Sequence, residues 1–200
     1  MKRLENQVAI ITGGSKGIGL AIAKRFVGEG AKVLVADILE KEAISAVDEL
    51  REKGATAEYF ILDVRNVQEI DQMTQFCLEK FGRLDILVNN AGVQKPCPSM
   101  NLSEEDFDWI MDVNLKGAFF CSQAAGRVMR EKGGGKIVNI SSGNSRMVNI
   151  GRAPYCMSKT GINSMTSVLG GEWAMYNIRV NAIAPGWIKT SMVERGLALK

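Results

Sequence analysis

Residues 8–37 constrain this chain more than any other stretch. They read V-A-I-I-T-G-G-S-K-G-I-G, then an amphipathic run, then V-L-V-A-D. Residues 8–11 are continuously apolar, as a strand buried on both faces should be. Gly13, Gly17 and Gly19 follow at once, and Ile18, Ala21, Ile22 and Phe26 then mark one apolar side of a helix. A second apolar strand, 32–36, ends on Asp37, which lies 18 residues beyond Gly19. Strand, glycine turn, helix and an acid-tipped strand form a dinucleotide-binding half-site. Gly13 permits the sharp turn, while Gly17 and Gly19 clear side chains from where backbone meets a pyrophosphate. No Gly-Lys-Ser/Thr follows the glycines, so a triphosphate loop is a poor reading.

Composition narrows the chemistry. Two hundred residues suit a single domain spanning 1–200 with a sizeable core, and 46% hydrophobic against 24% charged is an ordinary globular balance. The net charge is +3, without a basic block or interleaved aromatics, so no nucleic-acid partner is implied. No apolar run reaches membrane-spanning length and no signal peptide precedes the first strand, which leads us to expect a cytoplasmic location without a membrane partner. Cys77, Cys97, Cys121 and Cys156 are irregularly spaced, lack metal-ligand spacing and read as free thiols, with no metal site. Histidine is absent, which removes Ser-His-Asp hydrolysis and the commonest general base.

The remaining chain alternates strands and helices. Helices are expected over 41–53 and 67–81, and strands over 57–62 and 84–88. Asp63 ends the third strand; it reads equally as an adenine contact or as a cap for the helix after it. Asn89-Asn90-Ala91-Gly92 suggests a polar clamp at the end of the fourth strand, or a plain turn. Ser103 starts a long helix with an acidic first turn, running to Arg130, and Asn114 and Gly117 interrupt its apolar pattern. A fifth strand covers 136–140, Tyr155 opens a helix through Trp173, and a sixth strand covers 179–183. Mainly apolar strands in βα alternation argue a doubly wound parallel sheet in three α/β/α layers. Residues 186–200 begin an excursion, with a short helix expected near 191–199 that could close over the cleft; such a lid needs a return segment, so either the sequence is a fragment or the fold ends early.

In an open α/β sheet, ligands bind across the carboxyl ends of the strands. Ser142 follows the fifth strand, and Tyr155 and Lys159 stand four apart on one helix face. A lysine ammonium near a phenol favours phenolate, which makes this pair a plausible acid/base unit in a chain without histidine. The blander reading is a packing tyrosine and a turn serine.

These residues bring a family into view. Thr12-Gly13-x-x-x-Gly17-Ile18-Gly19, Asn89-Asn90-Ala91-Gly92, Asn114, Ser142, Tyr155-x-x-x-Lys159 and Pro185-Gly186 stand in order, with 13 residues from Ser142 to Tyr155. On this pattern the chain resembles the classical short-chain dehydrogenase/reductases over essentially its whole length. The resemblance implies a Rossmann fold and an oxidoreductase that passes a hydride between nicotinamide and an alcohol/ketone pair. It implies Tyr155 as general acid/base, Ser142 as the holder of the substrate oxygen and Lys159 as the group that lowers the tyrosine pKa and binds the nicotinamide ribose. Asn114 would hold a water leading from Lys159 to solvent. Gly13, Ser15, Lys16, Gly17, Ile18 and Gly19 would line the pyrophosphate, and Asp63 and Val64 would flank adenine. Asn90, Ala91 and Gly92 would lie along the cofactor, and Pro185, Gly186, Ile188 and Thr190 would meet the nicotinamide end. The resemblance also implies that the rest of the C-terminal lid and the last strand are missing, and it implies a homodimer or homotetramer built through the two long helices. Met165, Leu169 and Trp173 are readable either as that contact or as core.

Asp37 would accept hydrogen bonds from both ribose hydroxyls of NAD and repel the 2′-phosphate of NADP. Lys16 argues the other way, but residue 38 is isoleucine, so the usual second basic contact is missing. NAD is therefore the expected cofactor, with NADP less favoured. The expected substrate is a small polar alcohol/ketone, such as a sugar, polyol or hydroxy acid. The alternatives are an NADPH-dependent 3-oxoacyl-carrier-protein reductase and, more remotely, a non-catalytic NAD-binding protein. Arg146 and Arg152, near the Ser142 and Tyr155 positions, suit a carboxylate, phosphate or sulfonate, or are surface and subunit-contact arginines.

Overall fold

The computed structural model describes residues 2–147 and 149–189 of the chain. Thr190 and the helix expected over 191–199 lie outside the described residues. Six parallel strands, β1 (Val8–Thr12), β2 (Lys32–Asp37), β3 (Ala57–Ile61), β4 (Ile86–Asn89), β5 (Gly135–Ile140) and β6 (Ile178–Ile183), form one sheet in the order β3-β2-β1-β4-β5-β6. The order reverses between β1 and β4. That switch point opens a crevice at the strands' carboxyl ends, and each of the glycine, asparagine and serine motifs sits at one of those ends. This is the doubly wound Rossmann arrangement.

Helices α1 (Gly17–Gly28), α2 (Glu40–Glu52), α3 (Val67–Phe81), α4 (Glu104–Met111), α5 (Gly117–Glu131) and α6 (Ala153–Trp173) cover the sheet. The pleat sends alternate residues of β1 to opposite faces. Val8 and Ile10 join a core with Ile70 and Met73 of α3, Cys121 and Met129 of α5, and Ile162 and Leu169 of α6. Ala9 and Ile11 join the other, with Ala23 of α1 and Ala43, Val47 and Leu50 of α2. Helices on both faces explain why the strands read as unbroken apolar runs rather than alternating ones. Met165 and Leu169 belong to the core, and Trp173 packs against it beside Gly126.

Local chemistry sets the element ends. Ser103 caps α4 by accepting the Asp106 amide at 3.2 Å, as its sequence context predicts. The cap of α3 is Asn66, whose side-chain oxygen accepts from the amides of Gln68 and Glu69. Asp63 therefore does not have the capping role that one reading gave it. Its carboxylate is instead gripped by the Arg65 side chain, with Nη2 donating at 2.6 Å. The fourth strand begins later than the apolar run suggests and takes in Asn89, because Asn89 remains in the ladder opposite Asn139. Helix α6 begins at Ala153, two residues ahead of Tyr155, because Pro154 suits a first helical turn, where no amide hydrogen is needed.

The long helix expected from Ser103 to Arg130 is continuous but changes pitch. Asp112–Lys116 forms a π-helical turn between α4 and α5, and the buried Asn114 stands at its centre. Directly after it, Gly117 lies against Val64: a Cβ there would sit 2.8 Å from the Val64 carbonyl oxygen and 2.9 Å from its side chain. Because the obstacle includes backbone, Gly117→Ala is expected to destabilise the fold by about 1–3 kcal/mol despite alanine's better helix propensity. Urea unfolding of the variant would measure this. A gain in stability would show that the contact of Gly117 with Val64 is looser than described.

Candidate active site

The glycine turn leaves β1 with Gly13 at φ +62° and Gly17 at φ +56°, a region that side chains disfavour. A methyl on Gly19 would run into the Gly13 carbonyl and the Asn90 side chain. Helix α1 therefore starts as close to the turn as backbone allows. Its N-cap, Lys16, makes no side-chain cap bond, and its side chain is exposed. The positive end of the helix dipole is thus free to face an anion.

The second asparagine of the Asn89-Asn90 pair ties this turn to β4. Asn90 Nδ2 donates to the carbonyls of Thr12 at 3.0 Å and Gly13 at 2.8 Å. Thr12 Oγ1 accepts from the amides of Asn90 and Ala91, both at 3.1 Å. A clamp, rather than a plain turn, is the outcome here. Asn89 points toward α5 instead, where its Nδ2 donates to Ser122 Oγ and to Asn139 Oδ1 of β5, both at 2.8 Å. Asn139, in an otherwise apolar strand, continues this polar chain to Thr166 Oγ1 at 2.9 Å. Sequence reading missed this role, although an asparagine inside K-I-V-N-I was the available signal.

Asp37 is buried at the tip of β2. Its Oδ2 accepts from Ser15 Oγ at 2.6 Å and Ser15 N at 3.1 Å, and its Oδ1 accepts from Leu39 N at 3.2 Å. The acid is thereby fixed against the glycine turn. Ile38, beside it, is exposed. The turn, the uncapped helix start and the fixed acid together fit an adenosine ribose and a pyrophosphate.

Ser142, Asn114, Tyr155 and Lys159 come together across three elements. Lys159 is buried, and its Nζ donates to the Ile140 carbonyl at 2.8 Å and lies 5.8 Å from the Tyr155 ring centroid. A Cβ on Gly92 would sit 3.4 Å from Asn114 Oδ1 and 3.6 Å from Lys159 Nζ, so both polar groups flank that glycine. Asn114 Oδ1 accepts from Val93 N at 2.7 Å, while Nδ2 donates to Val93 O at 2.9 Å and Ser158 Oγ at 3.1 Å. Ser158 Oγ in turn donates to the Tyr155 carbonyl at 2.7 Å. The π-turn asparagine thus staples the Gly92 loop to α6 through main-chain groups. Gly143 N donates to Pro185 O at 2.9 Å, which brings the Pro185-Gly186 turn beside Ser142. Gly186 and Ile188 follow on the exposed surface; Asp63 and Val64 lie at the β3 end, Val64 buried beneath Gly117.

Burial pushes the Tyr155 phenol's pKa up, against a hydrogen bond from Ser142 and the positive charge of Arg152, which lower it. Burial also lowers Lys159 to about 8, so the lysine has largely lost its charge before the phenol titrates. The cation that eases phenol ionisation here is Arg152. The thiols of Cys77 and Cys121 are pushed up to about 12 by burial. All four cysteines are free.

The family described as short chain dehydrogenase matches residues 7–197. The chain belongs to that family. It is 39% identical to a 3-oxoacyl-acyl-carrier-protein reductase of Thermotoga maritima, over 96% of this chain and 78% of the relative. It is also 39% identical to a 3alpha-hydroxysteroid dehydrogenase of Mediterraneibacter gnavus, over 95% of this chain and 77% of the relative. A crystal structure of a short-chain type dehydrogenase/reductase from Mycobacterium marinum superposes with a TM-score of 0.95 at 32% identity, covering 98% of this chain and 78% of that one. NAD+-bound xylitol dehydrogenase gives the same TM-score and identity, with 98% and 76% covered. This short-chain dehydrogenase is an NAD(P)-dependent oxidoreductase with an NAD(P)-binding Rossmann fold. Among its described residues no helix is long and apolar enough to cross a membrane.

Lys159 makes a pH-linked contribution to stability. Its folded-state pKa is below the ordinary lysine value, so the unfolded chain binds more protons between about pH 8 and that value. Stability contributed at this site therefore rises with pH through that window, and the burial penalty is fully present below it. Lys159→Met is expected to flatten the rise, as read from urea unfolding of both proteins at pH 7 and pH 9.5. Parallel pH dependence in the two would rule out this origin.

Proposed function

We propose that one domain of this chain holds NAD and oxidises or reduces a small polar alcohol/ketone pair, such as a sugar, polyol or hydroxy acid. The observation that carries the reading is the convergence of Ser142, Tyr155, Lys159 and Asn114 beside the glycine turn. Asn90, Ala91 and Gly92 would lie along a nicotinamide cofactor, whose chemistry would be to supply or accept the hydride. The chain's own residues handle the oxygen and its proton. Ser142 Oγ donates a hydrogen bond to the substrate oxygen, and the Tyr155 hydroxyl gives that oxygen a proton in reduction or takes one in oxidation. Lys159 binds ribose hydroxyls beneath the phenol, and a positively charged nicotinamide would offset the burial that now raises the phenol's pKa. Asn114, held at the π-turn, fixes the loop and helix between which these groups lie. Asp63 and Val64 bound the adenine end.

The preference for NAD rests on Asp37. Ser15 and the Leu39 amide hold its carboxylate in place, and a 2′-phosphate brought there would meet a fixed negative charge. Lys16 is an exposed, flexible cation and Ile38 offers no charge, so neither outweighs it. This weighs against the NADPH-dependent acyl-carrier reading suggested by the Thermotoga relative's name and agrees with the NAD+ held by xylitol dehydrogenase.

A screen of sugars, polyols, hydroxy acids and β-hydroxyacyl thioesters, followed by NADH absorbance, tests the substrate class. Turnover restricted to acyl thioesters would overturn it. Tyr155→Phe is expected to lower kcat by about 10²–10⁴ while NADH binding, read by fluorescence, persists. Asp37→Ala is expected to raise the NADP/NAD ratio of kcat/KM by about tenfold or more. A ratio that stayed level would remove Asp37 as the selecting group.

A further inference from the structure

The two arginines flagged near the Ser142–Tyr155 segment have different environments. Arg146 is exposed. Arg152 is only 7% exposed, although it carries a charge. Its Nη1 donates to Gln94 Oε1 at 2.7 Å, and its guanidinium carbon lies 5.6 Å from the centroid of the Trp187 ring. Among the described residues no carboxylate forms an ion pair with it, whereas Arg25, Arg51, Arg65 and Arg83 each have one. A guanidinium buried against an amide and an indole loses hydration without gaining a counter-charge from the described residues, an arrangement that costs free energy and calls for a reason.

Its location supplies the reason. Arg152 immediately precedes α6, three residues before Tyr155, and its backbone carbonyl accepts the Cys156 amide. Its charge reaches the Tyr155 phenol. Gln94 follows the Asn89–Gly92 clamp and Trp187 follows the Pro185-Gly186 turn, so three separate segments at the carboxyl edge of the sheet meet at this one cation. Gln94 engages one edge of the guanidinium and the indole lies against it, which fixes the plane of a group with five donors. A planar cation held in place and short of negative partners is built to receive two oxygens of an anion.

We propose that Arg152, positioned by Gln94 and Trp187, is a specificity-determining residue that binds an oxyanion group of the substrate, a carboxylate, sulfonate or phosphate borne on the same molecule as the reacting alcohol or ketone carbon. This rests on the dehydrogenase reading above and narrows its substrates to anionic ones. Trp187, itself 63% exposed, forms the solvent side of the subsite and admits the anion from that side.

The test uses matched pairs with the full chain and NAD: 3-hydroxybutanoate against its methyl ester, glycerol 3-phosphate against glycerol, and isethionate against ethanol. In the wild-type enzyme the charged member of at least one pair is expected to have a kcat/KM about tenfold or more above its neutral partner; which pair responds identifies the anion. R152Q is expected to erase that ratio, chiefly through a KM for the anion raised about 100-fold. R152K, which keeps the charge without the planar fork, recovers part of it. A second readout needs no turnover. The responding anion should change the tryptophan fluorescence of the cofactor-free wild type and not that of R152Q, while its neutral partner changes neither. If R152Q does not fold, wild-type discrimination and R152K decide. Equal kcat/KM within every pair, or an equal loss on charged and neutral substrates in R152Q, overturns the subsite and leaves the dehydrogenase reading standing. No NADH from any compound counts against the small-substrate reading, and the fluorescence titration then decides the subsite alone.

Discussion

The contact on which the rest of the site depends is the pair of hydrogen bonds from Asn90 Nδ2 to the carbonyls of Thr12 and Gly13. A chain that leaves β1 through a tight glycine turn exposes main-chain carbonyls at the most crowded point of the sheet. Left unpaired, each would cost about 1–3 kcal/mol. Asn90 satisfies both from the neighbouring strand, and Thr12 returns the service to the Asn90 and Ala91 amides. The crevice between β1 and β4 is therefore rigid before any ligand arrives. Asp37 is fixed to the same turn through Ser15, so the phosphate end and the ribose end share one framework.

The catalytic side is assembled by a different device. Asn114 sits in a π-turn, where one residue beyond the regular helical count turns its side chain toward the Val93 backbone and Ser158. Lys159 is held by the Ile140 carbonyl and a buried setting that lowers its pKa to about 8. A lysine of this kind is a hydrogen-bond donor first and a source of positive charge second. The positive charge of Arg152 acts against the burial that raises the phenol's pKa.

Much of this architecture is legible in the residues themselves. Both-face burial writes itself as unbroken apolar runs, and the glycine turn, the acid at 37 and the Tyr155–Lys159 spacing each map to one place in a doubly wound sheet. What local pattern could not supply was the outcome of competition between neighbours. Asp63 and Asn66 both suit a cap, and Arg65 decides by occupying Asp63. A lysine one turn from a tyrosine suggests a lowered phenol pKa, but the burial that raises the phenol and lowers the lysine comes from packing that the spacing does not encode. The helix interruption was visible at Asn114 and Gly117, whereas the close approach of Gly117 to Val64, 53 residues away, is a tertiary contact that no local pattern carries. Arg152 is buried by Gln94 and Trp187, which come from two distant loops, and no periodicity encodes that meeting.

The strand order has a consequence for how the protein comes into being. β2 pairs only with its sequence neighbours β1 and β3, so that half of the sheet lacks only the partner at the outer edge of β1 once residue 61 has emerged during synthesis. β4 must then return to the free edge of β1, and only with it does Asn90 reach the carbonyls of the glycine turn. For the interval between them, a nascent chain carries an open strand edge and a turn whose Thr12 and Gly13 carbonyls are met by water. Maturation of the nucleotide crevice is thus the same event as the joining of the two halves, and a molecule bound across that seam resists their separation.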